Sequence, residues 1–101
     1  DVGHATARQL DARFVRVDLA EADSIAAMAA DIARHEGALH GLVNNAAIAT
    51  GIGGPEFDAI ETGTWDRVMD VNVRGTWLVT RDCAPMLAAS GTGRVVNVAS
   101  D

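Results

Sequence analysis

Short apolar runs and longer helical stretches alternate along this chain, and that alternation limits the fold more than any other feature. Residues 13–17, 39–43 and 94–98 are rich in valine, leucine and phenylalanine, as buried strands are. Two helical stretches, Ala22–Glu36 and residues 64–89, separate them. Strands joined through helices pair in parallel by right-handed crossovers. The sequence therefore predicts an α/β fold with a doubly wound parallel sheet, present as a partial domain.

The periodicity of the two helices predicts which face each one buries. Residues 1–10 predict a further, shorter helix, and Pro85 predicts a kink or an early end of the second long helix. The predicted buried face of the first helix consists of Ile25, Met28, Ala29, Ile32 and Ala33. That of the second consists of Trp65, Val68, Met69, Thr76, Val79, Cys83 and Met86.

Small polar side chains follow each predicted strand. Asp18 follows the first, Asn44 and Asn45 end the second, and Ser100 follows the third. Ligands of doubly wound sheets bind outside the carboxyl ends of the strands, so these side chains predict a binding site along one rim. The same residue types are common in turns, and a purely structural role is the alternative for each of them taken singly.

Asn72 is the most informative single polar residue, because it shares the apolar face of the second long helix. A buried amide is unfavourable unless its donors and acceptors have partners. Two interpretations follow from the spacing. Asn72 bonds a neighbouring carbonyl and pins the helix, or it also holds a water molecule at the floor of an active site.

Charge and cysteine content argue against several functions. The formal net charge of −6 disfavours nucleic acid as a partner, because an acidic surface repels phosphates. Cys83 is the single cysteine, so an internal disulfide is excluded and a reducing, cytoplasmic location is expected. No apolar run approaches the roughly 20 residues that cross a bilayer, so we expect no membrane partner.

Several features look functional but fit a structural role better. Residues 50–54 are rich in glycine, but Pro55 interrupts them before any helix, so they predict a loop and no phosphate-binding turn. The three histidines share no metal-ligand spacing with each other or with Cys83, so we expect no metal. Cys83 itself is expected to be a core residue. Because the chain starts at Asp1 and ends directly after an apolar run, we expect it to be a segment of a longer protein.

Four segments in register resemble the short-chain dehydrogenase/reductase family. Residues 42–47 resemble its NNAG segment after the fourth strand, and residues 17–19 its Asp-hydrophobic pair after the third. Residues 65–73 resemble the helix with the catalytic asparagine, and residues 93–100 the fifth strand with its catalytic serine. The resemblance covers nearly the whole chain. It implies that residues 1–101 are the central part of a single Rossmann-like domain, incomplete at both ends.

The resemblance implies a nicotinamide cofactor, NAD or NADP. The Asp18 carboxylate would accept a hydrogen bond from the adenine amino group, with the Leu19 amide beside it. Ala47 replaces the family's glycine, and its methyl group could crowd the cofactor. The cofactor-binding residues implied in this way are Asp18, Leu19, Asn44, Ala46, Ala47 and Val98.

The resemblance also implies hydride transfer between the cofactor and an alcohol or carbonyl substrate. Asn72 would hold a water of a proton relay, and Ser100 would bond the substrate oxygen. The family's tyrosine and lysine would follow Ser100, and this chain contains neither residue type. The alternatives are a non-catalytic domain that binds a nucleotide or a partner, and an unrelated doubly wound binding module.

The second long helix commonly packs against its counterpart in a partner subunit in this family. The resemblance therefore implies a homo-oligomer, either a dimer or a tetramer. Trp77, on a different face from Trp65, is a candidate anchor of that interface. A partly covered surface indole is the alternative.

Overall fold

The computed structural model describes residues 1–49 and 56–99. None of the helices in these ranges is both long enough and apolar enough to cross a membrane. The described elements, in chain order, are α1 (Val2–Gln9), α2 (Ala22–Glu36), β1 (Gly41–Asn44), a 3₁₀ turn (Phe57–Ala59), α3 (Thr62–Met69), a π-helical segment (Asp70–Gly75), α4 (Thr76–Ser90) and β2 (Arg94–Asn97).

β1 and β2 pair in parallel, as the alternation of strands and helices predicts. Their register places Leu42 opposite Val95 and Asn44 opposite Asn97. The Val98 N–H extends the ladder by donating to the Asn44 carbonyl at 3.0 Å. The carboxyl ends of the two strands therefore lie side by side at one rim of the sheet.

The prediction of a strand at residues 13–17 is wrong for the part of the chain that is described. A strand needs a neighbour whose backbone groups complement its own, and among the described residues no strand pairs with this run. Side chains hold it against α2 instead. The Arg13 guanidinium donates to Asp31 at 2.6 Å, and Val17 packs against the core.

The core lies between α2 and α4. Ile25 and Cys83 are 0% and 1% exposed, and the predicted buried positions Val79 and Met86 are buried around them. Trp65, expected in the core, is 55% exposed, which corrects that prediction. The reason is that the long helical segment packs on α2 through its α4 portion, so the α3 portion extends beyond that contact.

Helical structure runs without a break from Thr62 to Ser90, close to the predicted range. Pro85 does not end it, and Pro85 lies on an exposed side where water can satisfy the carbonyl left without a donor. The helix stops at Gly91, whose φ of 76° is the left-handed cap that glycine adopts without a Cβ penalty. The π-helical turn between α3 and α4 was not predicted.

Candidate functional site

An open, mostly apolar cavity of about 310 Å³ lies beside β1 and above α2 and α4. It brings together Leu19, Asn44 and Ala46, three of the residues that the sequence assigns to one site. Its lining is formed by Val17, Leu19, Met28, Ile32, Leu39, Gly41, Leu42, Val43, Asn44, Asn45, Ala46, Thr76, Val79 and Cys83. The cavity runs along the whole of β1 and reaches its carboxyl end, which is where this architecture binds ligands.

Asp18 forms a compact turn ahead of α2. Its Oδ1 accepts from the Ala20 N–H at 3.0 Å, while its own N–H donates to Ser24 Oγ at 2.8 Å. The turn role that strand-end aspartates often have is therefore present here. The residue is exposed, so its carboxylate remains open to a donor from outside the chain.

Gly75 sets how closely this turn approaches the long helical segment. A Cβ built on Gly75 would lie 2.5 Å from the Leu19 carbonyl oxygen, far inside any allowed contact. Glycine at this buried position lets the Asp18–Leu19 turn lie directly against the helix. Gly75 was not predicted as a site residue. A glycine inside a helical pattern was the available signal, since glycine disfavours helix interiors.

Asn72 lies in the π-helical segment and bonds the chain after β1. Its Oδ1 accepts from the Ile48 N–H at 2.9 Å, and its Nδ2 donates to the Ile48 carbonyl at 2.8 Å. The interpretation that Asn72 bonds a neighbouring carbonyl and pins the helix is therefore confirmed. π-helical turns occur often at functional sites, and this one presents Asn72 to the segment that leaves the sheet.

Asn44 joins both strands and α4 through its side chain. The Asn44 Nδ2 donates to Asn97 Oδ1 at 2.9 Å and to Thr80 Oγ1 at 3.1 Å. Neither Asn97 nor Thr80 was predicted as a site residue. The available signal for Asn97 was an asparagine among the valines of β2. It was missed because its place opposite Asn44 follows only from the register.

The remaining predicted site residues lie along the same chain segments. Ala47 and Val98 are both exposed, three and one residues beyond the ends of β1 and β2. Ser100 and the glycine-rich residues 50–55 lie outside the described residues. The structure thus places Leu19, Asn44 and Ala46 in one cavity and ties Asn72 to the chain that follows β1.

The titratable groups outside the rim fit structural roles. Burial, and then the neighbouring Asp82 carboxylate, raise the pKa of the Cys83 thiol, so it stays protonated at neutral pH and is a poor nucleophile. The hydrogen bond from Arg13 lowers the pKa of Asp31. Within the described ranges, no three histidine, cysteine or acidic residues are placed to hold a metal ion.

Comparisons with known proteins match nearly the whole chain. A family model described as Enoyl-(Acyl carrier protein) reductase matches residues 2–101. Cis-4-hydroxycyclohexanecarboxylate dehydrogenase of Sinomonas cyclohexanicum is 32% identical over 99% of this chain. Inactive 2-(S)-hydroxypropyl-CoM dehydrogenase 2 of Xanthobacter autotrophicus is 40% identical over 85% of it.

A solved structure agrees with these relatives. The crystal structure of a metagenomic short-chain oxidoreductase (SDR) in complex with NADP superposes with a TM-score of 0.86 and 30% identity over 97% of this chain. The chain spans 46% of that structure, and it spans 37% and 36% of the two relatives.

Proposed function

Because this chain belongs to the short-chain dehydrogenase/reductase family, we propose that it supplies the rim of an NAD(P)-dependent oxidoreductase acting on an alcohol or ketone. One observation carries the proposal. Leu19 and the segment from Asn44 to Ala46 come from separate parts of the chain and line one open cavity, which reaches the carboxyl end of a parallel strand.

The residues present fit the adenosine half of a nicotinamide cofactor. The exposed Asp18 carboxylate can accept from an exocyclic amino group, and its turn is already ordered by Ser24 and Ala20. Ala46, with its small side chain, allows close approach to the backbone after β1. The bound cofactor would supply the hydride chemistry. The choice between NAD and NADP stays open, because one structural neighbour binds NADP and a relative from Sphingomonas is named as an NAD(+) dehydrogenase.

We propose Asn72 and Ser100 as the catalytic residues of this segment. The Asn72 oxygen and one amide hydrogen are engaged by Ile48, so a relay water would be held by its other amide hydrogen or by a main-chain carbonyl of the π-helical turn. Ser100, two residues after Val98, would donate a hydrogen bond to the substrate oxygen and stabilise charge as it develops there.

We further propose that the chain is the central part of one NAD(P)-binding domain. In the doubly wound order 3-2-1-4-5-6, two strands lie between the third and the fourth. In the complete domain, residues 13–17, which pair with no strand among the described residues, would form the third strand, and β1 would be the fourth. Among the described residues β1 pairs only with β2, so the two intervening strands would pair along the other edge of β1.

The test uses the protein expressed with the coding sequence on both sides of this segment. We expect NADH or NADPH to bind, as followed by nicotinamide fluorescence, and a panel of simple ketones to be reduced. Ser100→Ala should lower kcat by roughly 10²–10³, as the loss of one oxyanion donor does. Val96→Thr, an exposed change of similar shape on β2, is the control. Failure to bind either cofactor would contradict the proposal.

A non-catalytic member of the family is the second candidate, and one specific observation favours it. The relative from Xanthobacter with 40% identity is itself named inactive. The same experiment separates the two candidates, because a non-catalytic protein would bind NAD(P)H without turnover of any ketone. A flanking sequence without the family's tyrosine and lysine after Ser100 would also favour the non-catalytic candidate.

A homo-oligomer through the long helical segment is the proposed assembly. Trp65, Met69, Val73 and Trp77 recur every four residues and all are exposed, Trp77 by 60%. Four residues overshoot one α-helical turn by about 40°, so a regular helix would place Trp77 on a different face from Trp65. The wider π-helical turn between them offsets this drift, and we propose that the four side chains form one stripe. An exposed apolar stripe of this kind is typical of interaction surfaces.

The stripe is complementary to itself. In an antiparallel pair of copies centred on Val71, Trp65 meets Trp77 of the second copy and Met69 meets Val73. The same pairing sets Glu61 against Arg81, which already stacks 5.2 Å from the Trp77 ring. Val73→Glu should convert the dimer to monomer in sedimentation, whereas Thr62→Glu, on the same helix outside the stripe, should not. A dimer that survives Val73→Glu would refute this interface.

A further inference from the structure

Asn44 and Asn97 form a side-chain bridge across the last register pair of the sheet. The Asn44 Nδ2 donates to Asn97 Oδ1 at 2.9 Å and to Thr80 Oγ1 at 3.1 Å. The Thr80 hydroxyl in turn donates to the Thr76 carbonyl at 3.0 Å. One amide nitrogen therefore joins two strands to α4.

The direction of these bonds is determined by chemistry. The Thr80 hydroxyl hydrogen points to Thr76, so the Thr80 oxygen can only accept from Asn44. Both hydrogens of the Asn44 amide are then in use, one for Thr80 and one for Asn97. If the Asn44 amide alone were turned over, its Oδ1 would face the acceptors Thr80 Oγ1 and Asn97 Oδ1. In this arrangement Asn97 supplies one of the two acceptors of the Asn44 amide, and Thr80 supplies the other.

The bridge lies where both proposed functional segments leave the sheet. Asn45 and Ala46 follow Asn44 into the cavity, and Val98 follows Asn97 on the way to Ser100. The Val98 N–H bond to the Asn44 carbonyl, at 3.0 Å, is the last backbone link between the two strands. The side-chain bridge adds a second link between the two strand ends and also ties them to α4.

We infer that Asn97 is a positioning residue for the proposed oxidoreductase and acts through Asn44. It holds the end of β2 in register with β1, and so fixes the point from which the chain continues toward Ser100, without contacting the reacting atoms itself. The inference rests on the proposed function. A positioning role affects the rate of the chemical step more than substrate binding, since small displacements misalign the reacting groups.

The test compares Asn97→Ala with Asn97→Asp in the protein that carries the flanking sequence. Asn97→Ala should lower kcat about tenfold, the effect of one lost hydrogen bond, with KM changed less than twofold. Asn97→Asp should recover most of kcat, because a carboxylate oxygen still accepts from the Asn44 amide. Val96→Thr, next to Asn97 on the other face of β2, should leave both constants unchanged.

Two kinetic results would overturn the inference: wild-type kcat in Asn97→Ala, or the same loss in Asn97→Asp. Should the wild-type protein turn over no ketone, the proposed function fails, and hydrogen exchange at the Val98 amide then decides the bridge. Faster exchange in Asn97→Ala that Asn97→Asp reverses would support the bridge, and equal exchange in all three proteins would refute it. Circular dichroism of each variant distinguishes loss of the bridge from loss of the fold.

Discussion

The helical layer and the sheet of this chain differ in how completely they are covered. Between α2 and α4, Ile25 and Cys83 are almost fully buried. In the sheet, all four residues of β2 are exposed, and Val43 on β1 is 63% exposed. Helices satisfy their own backbone bonds and need one packed face, whereas parallel strands need neighbours at both edges and cover on both faces. The described residues therefore cover the helical layer, but they leave the sheet incompletely covered.

The largest expected effect tests this contrast directly. Ile25→Ala should lower the free energy of unfolding by about 2–5 kcal/mol, because it leaves a cavity in the packed helical interface. Val96→Ala, at a valine that is 53% exposed on β2, should change it by no more than about 0.5 kcal/mol. Urea unfolding followed by circular dichroism measures both. Equal losses would mean that the two layers are equally covered.

A close contact between the long helical segment and the Asp18–Leu19 turn provides the second prediction. Gly75→Ala should destabilise the fold by about 1–3 kcal/mol, because the new methyl group meets the Leu19 carbonyl oxygen. Gly63→Ala is the matched control in the same helical segment, where a Cβ meets nothing within 4 Å. It should raise stability by up to about 1 kcal/mol, since alanine is the better helix former. A stable Gly75→Ala protein would show that the turn is not held against the helix.

Asn72 links the helical layer to the chain that leaves the sheet, so its loss should loosen that chain selectively. Asn72→Ala should cost about 1–2 kcal/mol, because the Ile48 N–H and carbonyl both lose partners. The Ile48 amide should also exchange with solvent much faster, while amides within α4 keep their protection. Hydrogen exchange by NMR reads both. Unchanged protection at Ile48 would argue that the side-chain bonds are not formed in solution.

The smallest effect concerns the run at residues 13–17, which side chains hold in place of a ladder. The Arg13 hydrogen bond lowers the pKa of Asp31, so the pair stabilises the folded chain above the unfolded Asp pKa of about 4. That contribution is lost as the pH falls further and the carboxylate is protonated. Wild type and Asp31→Asn should therefore differ slightly in urea midpoint at pH 7 and converge in acid. A constant difference across this range would exclude the ion pair as its source.

Much of the helical layer could be predicted from sequence, and the reasons are local. The 3.6-residue period placed α2 at Ala22–Glu36, the bounds that the structure has. The same period identified Cys83 and Met86 as core, but it also placed Trp65 there. Periodicity reports which residues share a face, and whether that face is covered depends on where the neighbouring helix ends.

The candidate site likewise contains residues that the sequence predicted and residues that it did not. Asn44 was predicted as a site residue from its place at a strand end, and Asn72 from its place on the apolar face of a helix. Asn97 and Gly75 were not predicted. Asn97 bonds its register partner Asn44, which is 53 residues away, and Gly75 lies against the backbone oxygen of Leu19 in a distant turn. Such contacts leave no spacing pattern along the chain.

By itself, the sequence determined the order of the elements, the buried face of α2 and the polar residues at the strand ends, because these depend on neighbours within a few turns of the chain. Only the tertiary structure decided that residues 13–17 remain outside the ladder, that Asn72 is occupied by Ile48, and that Asn44 is bridged to Asn97. Each of these depends on which distant backbone or side chain arrives at hydrogen-bonding distance, and that is a property of the assembled layers.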